Sequence, residues 1–264
     1  MSDEFPIMPG AEAFGRTGTG ERASTGIALI HGFTGSPISL RPLAELLALQ
    51  GYGIDLPRLP GHGTDERDMA RTRYADWCAA AAEAVERLAA VSERVVIVGL
   101  SMGAAIALDV AGSERHPKLA GVVTINVQLL DRQRLAIKLG PVIERVMPFA
   151  PAAMAGLRKD DIAKPGVSER SYARVPTAAG NSFTRELSRI REGVARIRCP
   201  LLVIHSREDH SVSPENSKAL LGLVPAATEL VLERSYHVAT LDYDLELIAA
   251  NVAKFCDGLG PRPA

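Results

Sequence analysis

Two hydrophobic periods alternate along the chain. Continuous apolar runs, rich in β-branched residues, occur at Thr25–Ile30, Tyr52–Leu56, Val95–Val98, Leu119–Val127, Leu201–His205 and Thr228–Leu232. Such runs suit strands buried on both faces, as in a parallel sheet. Between them, apolar residues recur every three or four positions. Leu40, Leu43 and Leu47 form one stripe, Trp77, Ala81, Val85 and Leu88 a second, and Leu241, Leu245, Ile248, Val252 and Phe255 a third. Strand and helix in regular succession predict an α/β fold with a mostly parallel central sheet flanked by helices.

The succession breaks once. From about Gln128 to Arg198 no buried strand is apparent, a long interval for a simple crossover. Leu135, Leu139, Val142, Ile143 and Val146 share one helical face, and Phe183, Leu187, Ile190, Val194 and Ile197 another. Residues 128–198 therefore read as an inserted helical cap, with residues 1–127 and 199–264 forming the core. Asp160–Gly166 reads as an exposed connection, and residues 1–25 as a leading edge of short strands or loop. Ile143, Met147, Phe149, Met154 and Leu157 are the expected apolar wall for an acyl chain, although most such stripes only pack a cap onto its core.

The sharpest feature is the turn Gly99-Leu100-Ser101-Met102-Gly103, between a buried strand and an Ala-rich helix. So tight a turn forces its apex toward positive φ, and glycines two residues either side clear the space. Ser101 would then stand at a helix N-terminus, where unpaired N–H groups and the helix dipole favour a developing negative charge. The bland alternative is a surface serine in a Gly-rich turn. A nucleophile needs partners, and a second loop, His31-Gly32-Phe33-Thr34-Gly35, leaves the strand before it. The N–H groups of Phe33 and Met102 are the expected oxyanion donors. His31 and His62 read as loop braces.

The loop Ser206–Val212 carries adjacent carboxylates after a strand. Asp209 is the choice for the residue orienting a base, with Glu208 as runner-up. His237 follows the last strand, and the order serine, acid, histidine suits this kind of fold.

Composition adds exclusions. Lys plus Arg total 30 against 31 Asp plus Glu in 264 residues, so no positive field recruits nucleic acid. The acidic, proline-broken N-terminus lacks the regions of a signal peptide, and no apolar run is long enough to span a bilayer. Cys78, Cys199 and Cys256 have no metal-ligand spacing and read as thiols in a reducing cytoplasm. No metal or organic cofactor is expected.

Five blocks, HGFTGSP from His31, LPRLPGHGT from Leu56, GLSMG from Gly99, SREDHSVSP from Ser206 and SYHVATLDYD from Ser235, span most of the chain. In them the sequence resembles the α/β-hydrolase superfamily, and more narrowly the bacterial carboxylesterase and monoacylglycerol lipase family. The resemblance implies Ser101 as nucleophile, Asp209 as acid, His237 as base, Phe33 and Met102 as oxyanion amides, and a mobile cap. Ala104 departs from it, since relatives commonly have a third glycine there. The implied activity is hydrolysis of lipid-like carboxylic esters, with transient lipid-surface contact through the cap. A thioesterase or acyltransferase would use the same triad, and a non-catalytic binder of a small apolar ligand could use the same fold. A dehalogenase would require a carboxylate in place of Ser101.

Overall fold

The computed structural model describes residues 4–113, 116–130, 142–155, 158 and 160–260. In chain order the core elements are β1 (Phe14–Arg16), β2 (Thr25–Ile30), α1 (Arg41–Leu49), β3 (Gly53–Leu56), α2 (Glu66–Met69), α3 (Tyr74–Val91), β4 (Arg94–Leu100), α4 (Met102–Ser113) and β5 (Leu119–Ile125). Between β5 and the return to the sheet lie β6 (Phe149–Pro151), β7 (Arg174–Pro176), α5 (Thr177–Thr184) and α6 (Leu187–Gly193). The core then resumes with β8 (Leu201–Ser206), α7 (Glu215–Leu223), β9 (Thr228–Leu232) and α8 (Leu245–Asp257).

Seven strands form the main sheet in the order β1-β3-β2-β4-β5-β8-β9. Every neighbouring pair is parallel except β1 with β3. Both faces of the sheet are covered, and the central strands divide their side chains strictly. Ala28, Ile30, Val95 and Ile97 pack with α3 and α4, while Ile27, Leu29, Val96 and Val98 pack with α1 and α8. Alternate residues of a strand point to opposite faces, so a double-sided core requires an unbroken apolar run.

Strand order reverses between β2 and β4, where Ile30 lies beside Gly99. Loops leaving those two strands diverge in opposite directions and open a crevice at the carboxyl edge, the position at which open α/β sheets take ligands. The His31–Gly35 loop and the Ser101 turn flank this crevice.

The insertion departs from the sequence expectation in two respects. It contains a two-stranded antiparallel ribbon, with Ala150 opposite Val175, where only helix and loop are expected. Its strands are three residues long and border on Pro148, Pro151 and Pro176, too short and interrupted to show a period. Secondly, of the described residues of the first apolar stripe, Val142 and Val146 lie open to solvent at 63% and 77% exposure and Ile143 is half-buried. Leu135, Leu139 and Leu157 lie outside the described residues.

The later stripe behaves as expected, with Phe183, Leu187, Ile190 and Val194 buried against α4. A polar contact pins the same junction. Arg189 donates from both Nη atoms to the Asp109 carboxylate at 2.8 and 2.7 Å. Paired donors to a carboxylate fix orientation as well as distance.

Candidate active site

Backbone geometry at the turn is as its sequence demands. Ser101 has φ 58°, in the left-handed region. A Cβ at Gly99 would fall onto the Gly103 carbonyl, and one at Gly103 onto the carbonyl of Ile30. Only glycine lets strand, turn and helix approach so closely. Ser101 stands one residue before α4, and the Ser101 N–H is tied to the Ile125 carbonyl at 2.9 Å.

Opposite it, the His31 loop is held from behind. Buried His31 pairs through Nδ1 with the Gly32 carbonyl at 3.0 Å, while Nε2 accepts the Leu59 N–H at 3.1 Å. That fixes the tautomer, with hydrogen on Nδ1. The Gly32 carbonyl and the Phe33 N–H belong to one planar trans peptide, so drawing the carbonyl toward His31 turns the N–H the other way. Burial lowers the His31 imidazole to about 4, so it stays neutral, as its acceptor role requires. His62 packs edge-on against His31 and Trp77 and is likewise pushed down by burial. Both braces lie outside any relay with Ser101.

The acid and base loops meet at the far side. Asp209 Oδ2 pairs with His237 Nδ1 at 2.8 Å, and Oδ1 accepts the N–H groups of Ser211 and Val212 at 2.9 and 2.7 Å. The two adjacent carboxylates have opposite surroundings. Asp209 has a side chain 1% exposed, whereas Glu208 is 66% exposed and faces His210. Burial by itself would lower the His237 imidazole, but the Asp209 charge and hydrogen bond, with Glu169 and Asp161 adding to them, hold it above its ordinary value.

Two residues not singled out in the sequence belong here. Asn126, at φ 47° just past β5, donates from Nδ2 to the carbonyl of His237 at 2.7 Å and accepts the Ser206 N–H at 2.7 Å. It thereby joins the roots of the acid and base loops. Its signal in the sequence is a polar residue at the carboxyl end of an apolar strand. Glu169 is the second; it has no sequence signal.

Ser101, His237, Phe33 and Glu169 line one small pocket, together with Gly32, Leu100, Ala152 and Arg158 among others. Burial pushes the Glu169 carboxyl up to about 7, against the downward pull of His237. The pocket's free volume is about 40 Å³, room for a few waters. Met102 is buried and does not line it. Among the described residues, neither the Phe33 nor the Met102 N–H has an acceptor, and Ser101 Oγ makes no side-chain hydrogen bond. Ile143 and Met147 do not line this pocket, and Met147 and Met154 are 38% and 66% exposed. Among the described residues, the pocket's apolar lining includes Phe33, Leu100, Ala152, Tyr172 and Val238.

A larger cavity of about 480 Å³ opens between α3, α4, α5 and α6. Its central carboxylate, Asp109, is already satisfied by Tyr74, Ser113 and Arg189. No group there is poised for chemistry.

A parallel sheet with a strained serine at the turn into a buried helix defines the class of hydrolases built on that strand-turn-helix. The family model described as alpha/beta hydrolase family matches residues 27–250, and the chain belongs to that family. It is 38% identical to the thermostable monoacylglycerol lipase of Bacillus sp. (strain H-257), over 97% of this chain and 98% of the other. A solved structure of a metagenome-derived lipolytic enzyme superposes with TM-score 0.84 at 34% identity, covering 96% of this chain and 99% of that one. The monoacylglycerol lipase of Paleococcus ferrophilus shares the fold, with TM-score 0.78 at 21% identity over 94% and 100%. No helix among the described residues is long and apolar enough to cross a membrane.

Proposed function

We propose that the chain is a serine carboxylic ester hydrolase whose preferred substrates join a fatty acyl chain to a small polyhydric alcohol, monoacylglycerols foremost. The observation that carries the alcohol preference is Glu169, a carboxyl group in the same pocket wall as Ser101 and His237. With a value near 7 it is available both to donate to and to accept from hydroxyl groups. A simple alkyl leaving group offers it no hydroxyl, so the buried carboxyl keeps only its bond to Ser171 and gains nothing from that substrate.

In the mechanism, Ser101 Oγ attacks the ester carbonyl carbon while His237 Nε2 takes its proton. The carbonyl oxygen becomes an oxyanion held by the Phe33 and Met102 N–H groups, each such donor contributing about 3 kcal/mol. Asp209 fixes the imidazole tautomer and stabilises its cation. The imidazolium then returns its proton to the leaving alcohol oxygen as the ester C–O bond breaks. Water, deprotonated by the same imidazole, cleaves the acyl-enzyme and restores Ser101.

Residues 128–198 act as the cap. Exposed Val142, Val146 and Met154 offer the apolar surface that would meet a lipid aggregate.

Ser101→Ala is expected to lower kcat on the order of 10⁶-fold. Activity retained in that variant ends the reading. A parallel panel of monoacylglycerols, simple alkyl esters and acyl-CoA thioesters tests the substrate class. Equal or better kcat/KM on the alkyl esters or the thioesters would refute the polyol preference.

A further inference from the structure

Residues 160–172 run past the pocket, and polar bonds anchor them at both ends. At the first end is Asp161, which the sequence places in an exposed connection and which is in fact buried, its side chain 3% exposed. Its carboxylate pairs with His210 Nδ1 at 2.8 Å and accepts the His210 N–H at 3.0 Å and the Ser211 hydroxyl at 3.2 Å. Its carbonyl accepts the Val238 N–H at 3.1 Å. His210 follows Asp209 and Val238 follows His237, so one aspartate grips the loops of both acid and base. Asp242 reinforces that end, accepting the N–H groups of Ala163 at 2.7 Å and Tyr236 at 2.9 Å.

The other end grips the oxyanion side. Tyr172 donates its N–H to the Thr34 carbonyl at 3.3 Å. Its hydroxyl donates to the Gly61 carbonyl at 2.9 Å and accepts the Thr64 N–H at 2.8 Å. The loop so held contains Leu59, whose N–H meets His31 Nε2, and His31 in turn holds the Gly32 carbonyl.

We propose that residues 160–172 form a tie that sets the acid-base half of the site against its oxyanion half, with Asp161 and Tyr172 as its positioning residues. The proposal rests on the triad reading above. Its physical basis is that the two halves sit on loops from different strands, while acyl transfer requires the reacting groups to be placed within a fraction of an ångström. Burying a carboxylate is costly unless it is fully paired. A segment that only covered the pocket would need no such group aimed at the loops behind Asp209 and His237. Between its anchors the tie carries Glu169, whose N–H is held by Asp160 Oδ1 at 2.9 Å.

Steady-state kinetics of Tyr172→Phe and Asp161→Asn on one monoacylglycerol, with melting temperatures alongside, test the tie. Tyr172→Phe is expected to lower kcat roughly tenfold with KM unchanged within about twofold, and to leave the acid limb of kcat/KM in place. Asp161→Asn is expected to lower kcat similarly. It should also move the acid limb to lower pH, because one of the three carboxylates whose charge raises the His237 imidazole is lost while Asp209 and Glu169 remain. Folded variants with unchanged kcat, or with a raised KM alone, overturn the tie. If Asp161→Asn fails to fold, Tyr172→Phe decides. Ser101→Ala separates the two claims. If that variant is inactive while both tie variants keep wild-type kcat, only the tie falls; if it stays active, both do.

Discussion

Helix α4 and the stretch 142–154 are both rich in apolar residues, yet they meet opposite fates. Residues Met102–Gly112 of α4 are buried on every side, between the sheet, α3 and α6. In the insertion, Val142, Val146, Met147 and Met154 face outward. Further along the insertion, Phe183, Leu187, Ile190 and Val194 do pack on the core, with Arg189 on Asp109 beside them, whereas residues 160–172 are held largely by polar contacts, Asp161 on His210 and Tyr172 on the Gly61–Thr64 loop. Apolar pattern therefore determines position where a sheet supplies two faces to fill, and determines much less where a segment lies on top of a finished core.

The sharpest break in that comparison would come at the closest backbone approach in the core. Gly103→Ala is expected to cost more than about 4 kcal/mol, enough to prevent folding, because a Cβ there meets backbone carbonyls that cannot yield. Soluble expression and a cooperative melt near the wild-type temperature would contradict this.

Next in size is acid lability arising from His31. Its folded value lies near 4 against an ordinary 6.5, so the unfolded chain binds a proton in that window and the folded chain does not. Stability is then full above pH 6.5 and declines by on the order of 3 kcal/mol as pH falls toward 4. His62 acts in the same direction. Chemical denaturation of wild type and His31→Asn across that range would measure it, and parallel slopes would remove the assignment.

On the insertion side, Glu169→Gln is expected to shift the acid limb of kcat/KM to lower pH, since the Glu169 charge helps hold the His237 imidazole up. Glu169→Leu, which removes the hydrogen-bonding group altogether, should reduce discrimination between monoacylglycerols and alkyl esters by roughly tenfold, about the worth of one buried hydrogen bond. An unmoved limb would indicate that Glu169 does not face the base. The smallest effect belongs to Val146→Ser, within about 0.5 kcal/mol of wild type by denaturant titration, because a side chain 77% exposed loses little on leaving water-facing apolar surface. A larger loss would mean that this stripe is covered after all.

Much of the site is legible in the sequence because it obeys local rules. The turn at Ser101 declares itself through its two glycines, and the braces His31 and His62 through the loops around them. The choice between Asp209 and Glu208 is not local. Both follow β8, and only the fold of the loop buries one beside His237 and leaves the other in water. Asn126, Asp161 and Glu169 are not legible for a related reason: a polar residue in a loop looks the same whether it is solvated or buried against a partner dozens of positions away.

The sequence by itself determined the double-sided sheet, the strained serine and the place where the alternation of strand and helix stops, since each depends on neighbours within a few residues. Tertiary structure alone decided which carboxylates meet which imidazoles, and how the insertion is held. Those outcomes depend on desolvation and on hydrogen bonds between loops distant in the chain, and neither leaves a periodic trace in it.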